Sequence, residues 1–489
     1  AASLTVTAGG NVDVGSITGD NVTITSAGSI LDGSTTENKR IVGDTVHLIA
    51  AGAIGEGADD LDLETSELTA EFGTSIYVEN HTDFDALHLF STQAGDNNEY
   101  EIAADDLTFN VTDDGTRYLL TDVRETSGDG MDFSFQGDED IAIGMIWPGD
   151  AATVVVTSTH GAILESGDDA AAEIRATNAI LTAAGGVGET GAGLETRVGD
   201  LAINVTGAGS IFVKELDHVT LGDVNTANGS ISITSVGSMT ATDVAATDGS
   251  VTLLSSGGMI ATLVRAVDSG ATGSYDVNLT NNDSGNVVVG TVSTDNNLVI
   301  DSAGSITDSL SAVISVTGQG ILDAGGAITL GDTATDSVHF GRLDATAASI
   351  IAISEDSDMV VDRLVAASTS LASTGSITDS ASAVVTIDGQ GVLHAGGSIT
   401  LGDTATDSVN FGSLDATAGS TIAISENSAM VVDGLSAAGA ALTSTGAITD
   451  NASAVIDISG QGIFDAGGSI TLGDTATDSV NFGSLDATA

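Results

Sequence analysis

Hydrophobic and polar residues alternate in short runs along most of the chain, and most runs end at Gly, Asp, Asn or Ser. Typical runs are VTIT at 22–25, VHLI at 46–49 and ISIT at 231–234. A period of two residues places the apolar side chains on one face of a β-strand. The best helical candidate, 59–72, has acidic residues and Leu at mixed spacing and is followed by an alternating run. The pattern therefore predicts an all-β protein.

A 71-residue repeat occupies the C-terminal part of the chain. The string ITLGDTATDSV begins at Ile328, Ile399 and Ile470, and the motifs GQG and FGxLDATA recur with the same period. One copy, 375–445, divides into three similar blocks, 375–396, 397–419 and 420–445. A block of this size has room for three short strands and three turns, as one coil of a three-sided parallel β-helix requires. The repeat thus predicts a solenoid with about 22–26 residues per coil and three coils in each copy.

Four segments follow from these patterns. They are β-helix coils at 1–71, an irregular β segment or loop insertion at 72–150, degenerate coils at 151–302, and the 71-residue repeats at 303–489, with an incomplete last copy.

The segment from Phe72 to Trp147 contains ten of the 16 aromatic residues of the chain. One interpretation, which we prefer, is that these rings close a wider coil or cover an edge. The other is that exposed rings form a surface that binds a glycan or a protein receptor. The residues of such a surface would be Tyr100, Tyr118, Phe133 and Trp147.

The chain is strongly acidic, with 69 Asp and Glu against 10 Lys and Arg and a formal net charge of −59. Nucleic acid is excluded as a partner because phosphate backbones need clusters of Lys and Arg. There is no Cys, so neither disulfides nor thiol chemistry is available. No apolar run reaches the length of about 18 residues that a membrane crossing needs, so no transmembrane helix is predicted.

Acidic side chains in turns could bind a divalent cation. The densest group contains Asp129, Asp132, Asp138 and Asp140, and the repeated GDTATD turn adds Asp332 and Asp336 with their copies. Calcium takes six to eight oxygen ligands of this kind. The alternative, which we prefer, is that these Asp residues hydrogen-bond to local N–H groups of the turns. No cofactor is required, and calcium is the candidate ion.

A catalytic site is not expected. Arg342 and Arg363, basic residues of the kind that a lyase for acidic sugars would need, become Ser413 and Gly434 in the next copy. The sequence therefore predicts no enzyme and no catalytic residue.

The phrases AGSILDG at 27–33, DTVHLIAAGAIGEG at 44–57 and TAAGGVGETGAGLETRVGDLAINVTGAGSIFV at 182–213 resemble filamentous-haemagglutinin-type bacterial surface proteins. The resemblance implies a right-handed parallel β-helix that is exported and serves in adhesion, biofilm or cell-surface structure.

These observations together lead us to expect an extracellular structural or adhesive rod of a bacterial or archaeal cell surface, which self-associates into a fibre or surface layer. The first alternative is an adhesin that binds a glycan or cell-surface receptor through 72–147. The second is a polysaccharide-active β-helix enzyme. The start without Met and the stop inside a repeat lead us to expect a longer protein at both ends.

Overall fold

The structure is a computed structural model. It describes residues 2–33, 41–56, 60–81, 86–91, 97–104, 109–112, 117–125, 133–137, 139–149, 151–167, 171–270, 273–283 and 285–489. Two compact units are present: one comprises 1–239 and 243–249, and the other comprises 240–242 and 250–489. We call them unit 1 and unit 2. Within the described ranges no helix has the length and apolar character that a membrane crossing needs.

Every regular element among the described residues is a β-strand. The strands of unit 1 are Ser3–Ala8, Val12–Val14, Ile17–Thr18, Asn21–Ser26, Ile30–Asp32, Ile41–Val42, Thr45–Ala50, Leu61–Glu64, Glu67–Phe72, Ser75–Asn80, Ala86–Ser91, Asn97–Ala104, Phe109–Thr112, Arg117–Glu125, Phe133–Gly137, Asp140–Ile143, Ile146–Trp147, Thr153–Ser158, Ala162–Glu165, Ile174–Ala183, Gly186–Val187, Leu194–Ala208, Ile211–Glu215, Val219–Asn228 and Ile231–Ser235. The strand Met239–Thr247 has residues assigned to both units.

The strands of unit 2 are Val251–Ser255, Met259–Val267, Val277–Asn281, Val287–Thr294, Leu298–Ser302, Ile306–Ala324, Ile328–Leu330, Ser337–Ala347, Ile350–Glu355, Met359–Ala366, Ser368–Ser373, Ile377–Ala395, Ile399–Leu401, Ser408–Ala418, Thr421–Glu426, Met430–Ala437, Gly439–Ser444, Ile448–Ala466, Ile470–Thr471 and Ser479–Thr488.

Unit 1 is a stack of parallel strands. Ser3–Ala8 pairs with Asn21–Ser26, which pairs with Thr45–Ala50, and Glu67–Phe72 follows in the same sheet. Partners in neighbouring strands are separated by about one coil of sequence, since Val22 lies beside Val46. Parallel pairing at such separations means that the chain winds around and returns to the same side, which is a β-solenoid.

The aromatic segment 72–150 also contributes strands to this stack. Ser75–Asn80 pairs in parallel with both Leu61–Glu64 and Asn97–Ala104, and Arg117–Glu125 pairs with Asn97–Ala104 and Asp140–Ile143. The described strands of this segment therefore continue the coils of unit 1.

Unit 2 is likewise a parallel β-solenoid, so the predicted all-β solenoid fold is confirmed in each unit. One column of residues that lie side by side in successive coils runs through Ile306, Ile328, Ile351 and Thr369. The first three are fully buried. Alternation fixes this arrangement, because inward Val, Ile and Leu stack on their equivalents in the next coil.

The 71-residue repeat is not a whole number of coils. Ile306 and Thr369 are three coils apart in one column. Ile377, the equivalent of Ile306 one copy later, instead lies between Met359 and Ile399 on another side. Each copy thus comprises three coils and one further side of the next coil. The prediction of three coils per copy was therefore too short by one side.

Tight corners make room for the additional side. The coils 306–327 and 328–350 have the predicted length, but the coil 351–368 is shorter. In this coil only Ala367 separates the strand Met359–Ala366 from the strand Ser368–Ser373. The chain therefore changes side there without a separate turn.

The repeated GQG and FG motifs contact each other in the stack. Gly320, the second Gly of GQG, lies against the ring of Phe340, and the same pair recurs as Gly391 with Phe411. A Cβ at Gly320 or Gly391 would overlap the ring. The two motifs are thus complementary parts of one packing contact, since closely packed interiors do not yield to an added methyl group.

Candidate functional site

Each repeat brings three carboxylates together at a corner of unit 2. Asp332 and Asp336 belong to the GDTATD turn, and Asp308 comes from the preceding coil. One oxygen from each residue lies within 4.8 Å of the others. The other copies of this acidic triad are Asp379, Asp403 and Asp407, and Asp450, Asp474 and Asp478.

Hydrogen bonds to the backbone occupy much of the triad. Asp336 Oδ2 accepts the N–H of Thr333 at 2.8 Å, and its Oδ1 accepts the N–H of Ala312 at 3.1 Å. Asp308 Oδ2 accepts the N–H of Gly331 at 2.6 Å, where Gly331 has a φ of +71° that favours glycine. The carboxylates therefore hold the turn in place, as the preferred interpretation predicts.

The charges of the triad repel one another. Burial raises the pKa of Asp308, the hydrogen bond from Gly331 opposes this, and the nearby charges of Asp336 and Asp332 add to it. Burial would also raise the pKa of Asp336, but the hydrogen bonds from Thr333 and Ala312 outweigh burial and hold it below its usual value. The negative charge of the triad can attract a hard cation. Among the contacts described above, however, Asp308 and Asp336 already accept hydrogen bonds from the backbone, and only the exposed Asp332 does not.

Successive triads lie on different sides of unit 2. Because each copy advances by one further side, Asp308, Asp379 and Asp450 belong to three different columns. The triads consequently do not form a row that a single flat ligand could contact.

A second acidic cluster lies in unit 1. Glu165, Glu173 and Glu195 bring one oxygen each within 4.8 Å, and Glu195 Oε1 accepts a hydrogen bond from Lys214 Nζ at 2.8 Å. Burial raises the pKa of Glu173 to about 8, the N–H of Glu195 opposes this, and repulsion by Glu165 and Glu195 adds to it. Glu173 is therefore largely protonated at neutral pH, which relieves the repulsion.

The outward face beside this cluster has basic and aromatic side chains. Arg175 and Arg197 lie directly opposite each other on the adjacent strands Ile174–Ala183 and Leu194–Ala208. The Arg175 guanidinium carbon is 4.3 Å from the ring centroid of Trp147, which comes from the preceding coil. The two arginines line a cavity of about 350 Å³ together with Asp217 and His218.

Of the predicted calcium group, one residue, Asp140, lies among the described residues. Asp129, Asp132 and Asp138 lie outside the described residues. Asp140 Oδ1 accepts the N–H of Ala162 at 2.8 Å, which links two successive coils. In the described part of the chain, Asp140 thus supports a turn.

The structure describes the side chains of two residues of the predicted aromatic surface, Phe133 and Trp147. Tyr100 and Tyr118 lie in described strands, but their side chains lie outside what the structure describes. Phe133 is fully buried, so its assignment to a binding surface was wrong: its position in the alternating strand Phe133–Gly137 points it into the core. Trp147 is partly exposed and packs beneath Arg175.

Sequence reasoning missed residues that come from neighbouring coils. Asp308 is the last residue of the repeated ITD triplet. This triplet recurs with the same period as the GDTATD turn, and that shared period is the signal in the sequence that the triplet and the turn belong together. Arg175 and Arg197 are separated by about one coil of sequence, so their proximity was also present in the sequence.

Comparison with known proteins found no match among curated proteins and no match among solved structures. Two segments, residues 276–343 and 418–486, match the family model described as Repeats of unknown function (DUF5649). Their starts, at 276 and 418, differ by twice the 71-residue period. The chain is therefore a repeat-containing β-solenoid protein, two segments of which match this model of repeats.

Proposed function

We propose that this protein is an extracellular structural or adhesive rod of a bacterial or archaeal cell surface, of the filamentous-haemagglutinin type. The solenoid fold, the repeats and the repeat style of the sequence support this proposal. In such a rod, length comes from added coils, each of which contacts only its neighbours.

The observation that carries the proposal is the rotation of the repeat by one side per copy. A site for a flat or extended ligand needs the same residues on one side of successive coils. In unit 2, equivalent positions of successive copies instead lie on different sides, as the buried residues Ile306 and Ile377 show. Repeats arranged in this way lengthen the stack and present similar surfaces on each of its sides. This arrangement is typical of a stalk.

The residues that persist between copies also support a structural role. Gly391 and Phe411 repeat the packing contact of Gly320 and Phe340. By contrast, His339 is replaced by Asn410 in the next copy. Packing contacts and turn hydrogen bonds are retained, while Arg342 and Arg363 are lost like His339, so we propose that the protein is not an enzyme.

The surface charge fits exposure to an ionic medium. With 69 acidic residues, the rod repels other copies along its sides at low salt and is screened at physiological salt. Self-association into a fibre or surface layer would therefore occur through the ends of the solenoid, where strand edges are available.

Immunogold electron microscopy of source cells tests the location and form. Antibodies raised against this chain should label intact cells along filaments or a surface layer, with no gain in labelling after permeabilisation. Preimmune serum provides the control. Labelling that appears only after permeabilisation would refute the proposal.

An adhesin is the second candidate, and Trp147 is the observation that favours it. This residue belongs to the predicted surface in 72–147 and remains partly exposed beside two arginines. Deletion of the whole segment is a poor test because its strands are paired with those before and after it. Point substitutions at the outward side chains are the better test.

A further inference from the structure

Three successive coils of unit 1 place an aromatic and two basic side chains in one outward column. Ile146 lies beside Ile174, and Ile174 lies beside Thr196, so Trp147, Arg175 and Arg197 follow one another across the coils. We call these three residues the Trp–Arg column. Ile174 and Thr196 are fully buried, so alternation directs the adjacent Arg175 and Arg197 outward.

This column is unusual for the charge of the chain. There are only 10 Lys and Arg against 69 acidic residues, yet Arg175 and Arg197 are directly opposite each other. Like charges at opposite positions on adjacent parallel strands repel, and they are normally avoided. A bound anion would convert this unfavourable arrangement into a favourable one.

The Trp147 ring orients one of the arginines. A guanidinium 4.3 Å from the ring centroid is within cation–π range, and a stacked guanidinium keeps its N–H groups in a fixed plane. Arg197 is exposed and has no ion pair among the described residues. The two side chains can therefore offer parallel sets of donors, which match the two oxygens of a carboxylate.

The rest of the cavity restricts the class of ligand. Its volume of about 350 Å³ suits a small molecule such as one or two sugar rings. Thr177, Asp217 and His218 complete the polar lining. The Asp217 carboxylate would repel a phosphate dianion, but it accepts hydrogen bonds from hydroxyl groups. A ligand with a single carboxylate and several hydroxyls satisfies both halves of the cavity.

We propose that this cavity binds a carboxylated sugar, such as a uronic acid residue of a glycan. Arg175 and Arg197 bind the carboxylate, and Thr177 and Asp217 bind hydroxyl groups. Because the net charge of −59 repels long polyanions, the site favours an isolated acidic residue in an otherwise neutral glycan. This site does not depend on the structural function proposed above, and it gives the adhesin alternative a class of ligand.

The fluorescence of Trp147 provides a direct test, because it is the only Trp in the chain. Titration of the full chain with methyl β-D-glucuronide should change the Trp emission saturably, and calorimetry should give the same affinity. Methyl β-D-glucoside, which lacks the carboxylate, should cause no saturable change. No saturable response to the glucuronide by either method would overturn the proposal.

Substitutions assign the binding to the Trp–Arg column. Arg197→Gln should weaken glucuronide binding about ten-fold or more, since hydrogen bonds between charged groups are lost. Arg175→Gln should do the same, measured by calorimetry because the substitution also changes the surroundings of Trp147. Arg197→Lys should retain part of the affinity. Far-UV circular dichroism melts check that each variant is folded.

Arg342→Gln is the matched control, because Arg342 is an exposed arginine in unit 2 and the change in charge is identical. It should leave glucuronide binding unchanged. Equal weakening by Arg342→Gln would show that only the overall charge matters and would overturn the site. Tighter binding of inorganic phosphate, sulfate or N-acetylglutamate than of the glucuronide would overturn the assignment to a sugar.

Discussion

Glu355 is a buried acid at the inner corner of a coil in unit 2, and it should make the protein less stable as the pH rises. It continues the inward face of the strand Ile350–Glu355 after Ile351 and Ile353, and it is 1% exposed. Its Oε1 has no hydrogen-bond partner among the described residues, while Oε2 accepts only a long bond of 3.5 Å from the N–H of Phe340. Burial raises the pKa of Glu355 to about 8.

The sign and size of the effect follow from this shift. In the unfolded chain the carboxyl ionises around its ordinary value of 4.5, whereas in the folded protein it keeps its proton up to about 8. Between these values the folded state binds more protons, so its stability falls by about 1.4 kcal/mol per pH unit. The total loss is on the order of 5 kcal/mol, fully developed above pH 8. The stabilising contribution is therefore present below pH 4.5 and lost as the pH rises through 8.

Glu355→Gln removes the titration while keeping the shape of the neutral acid. Urea unfolding, followed by far-UV circular dichroism, should give similar midpoints for variant and wild type at pH 5. At pH 8 the variant should be clearly more stable. Glu426→Gln should behave alike, because Glu426 occupies the same position one copy later and burial also raises its pKa to about 8.

Asp356→Asn is the matched control, because Asp356 is the exposed neighbour of Glu355 and undergoes the same acid-to-amide change. It should change the pH dependence of the midpoint far less than Glu355→Gln does, because repulsion by Asp356 adds to the raised pKa of Glu355 only after burial, the main cause. The reasoning is refuted if Glu355→Gln and wild type keep the same difference in midpoint at pH 5 and at pH 8.

Three further predictions concern the repeats. Gly391→Ala should destabilise unit 2 by about 1–3 kcal/mol because its methyl group overlaps the Phe411 ring; denaturation midpoints measure this, and addition of Phe411→Leu should recover part of the loss. Asp407→Ala should lower the free energy of unfolding by about 1–3 kcal/mol, because three backbone N–H groups lose their acceptor. Substitution of the exposed Asp403 by Ala should lower it little. Equal losses in the two variants would contradict the role of Asp407 in the turn. Calcium and EDTA should give equal melting midpoints, since two of the three carboxylates in each triad already accept hydrogen bonds from the backbone. A saturable rise with calcium would contradict this.

Local pattern predicted the strands and the direction of their side chains well. In Ile350–Glu355 the alternation correctly indicates Ile351 and Ile353 as core residues. It also places Glu355 in the core, which composition alone would not suggest, because charged residues are seldom buried. The same alternation in the strand Phe133–Gly137 directs Phe133 inward.

The length of a coil could not be obtained from the repeat length. It depends on how the chain bends at each corner, for example at Ser311 and Ser382, which adopt left-handed φ values of 60° and 70°. A left-handed Ser is unfavourable on its own and is maintained by the packing of neighbouring coils. Long strands that continue around a corner also prevent the coil length from being read from the sequence, because pairing with adjacent coils decides where these strands bend.

The sequence by itself thus determined the parallel solenoid, the repeat and the acidic turns, because alternation and turn chemistry act over a few residues. Only the tertiary structure decided which coils face each other. It placed Asp308 against the GDTATD turn, set Arg175 opposite Arg197, and turned each repeat by one side. These features depend on the register between successive coils. That register is fixed by the positions of all the corners and by the strand pairings along the stack.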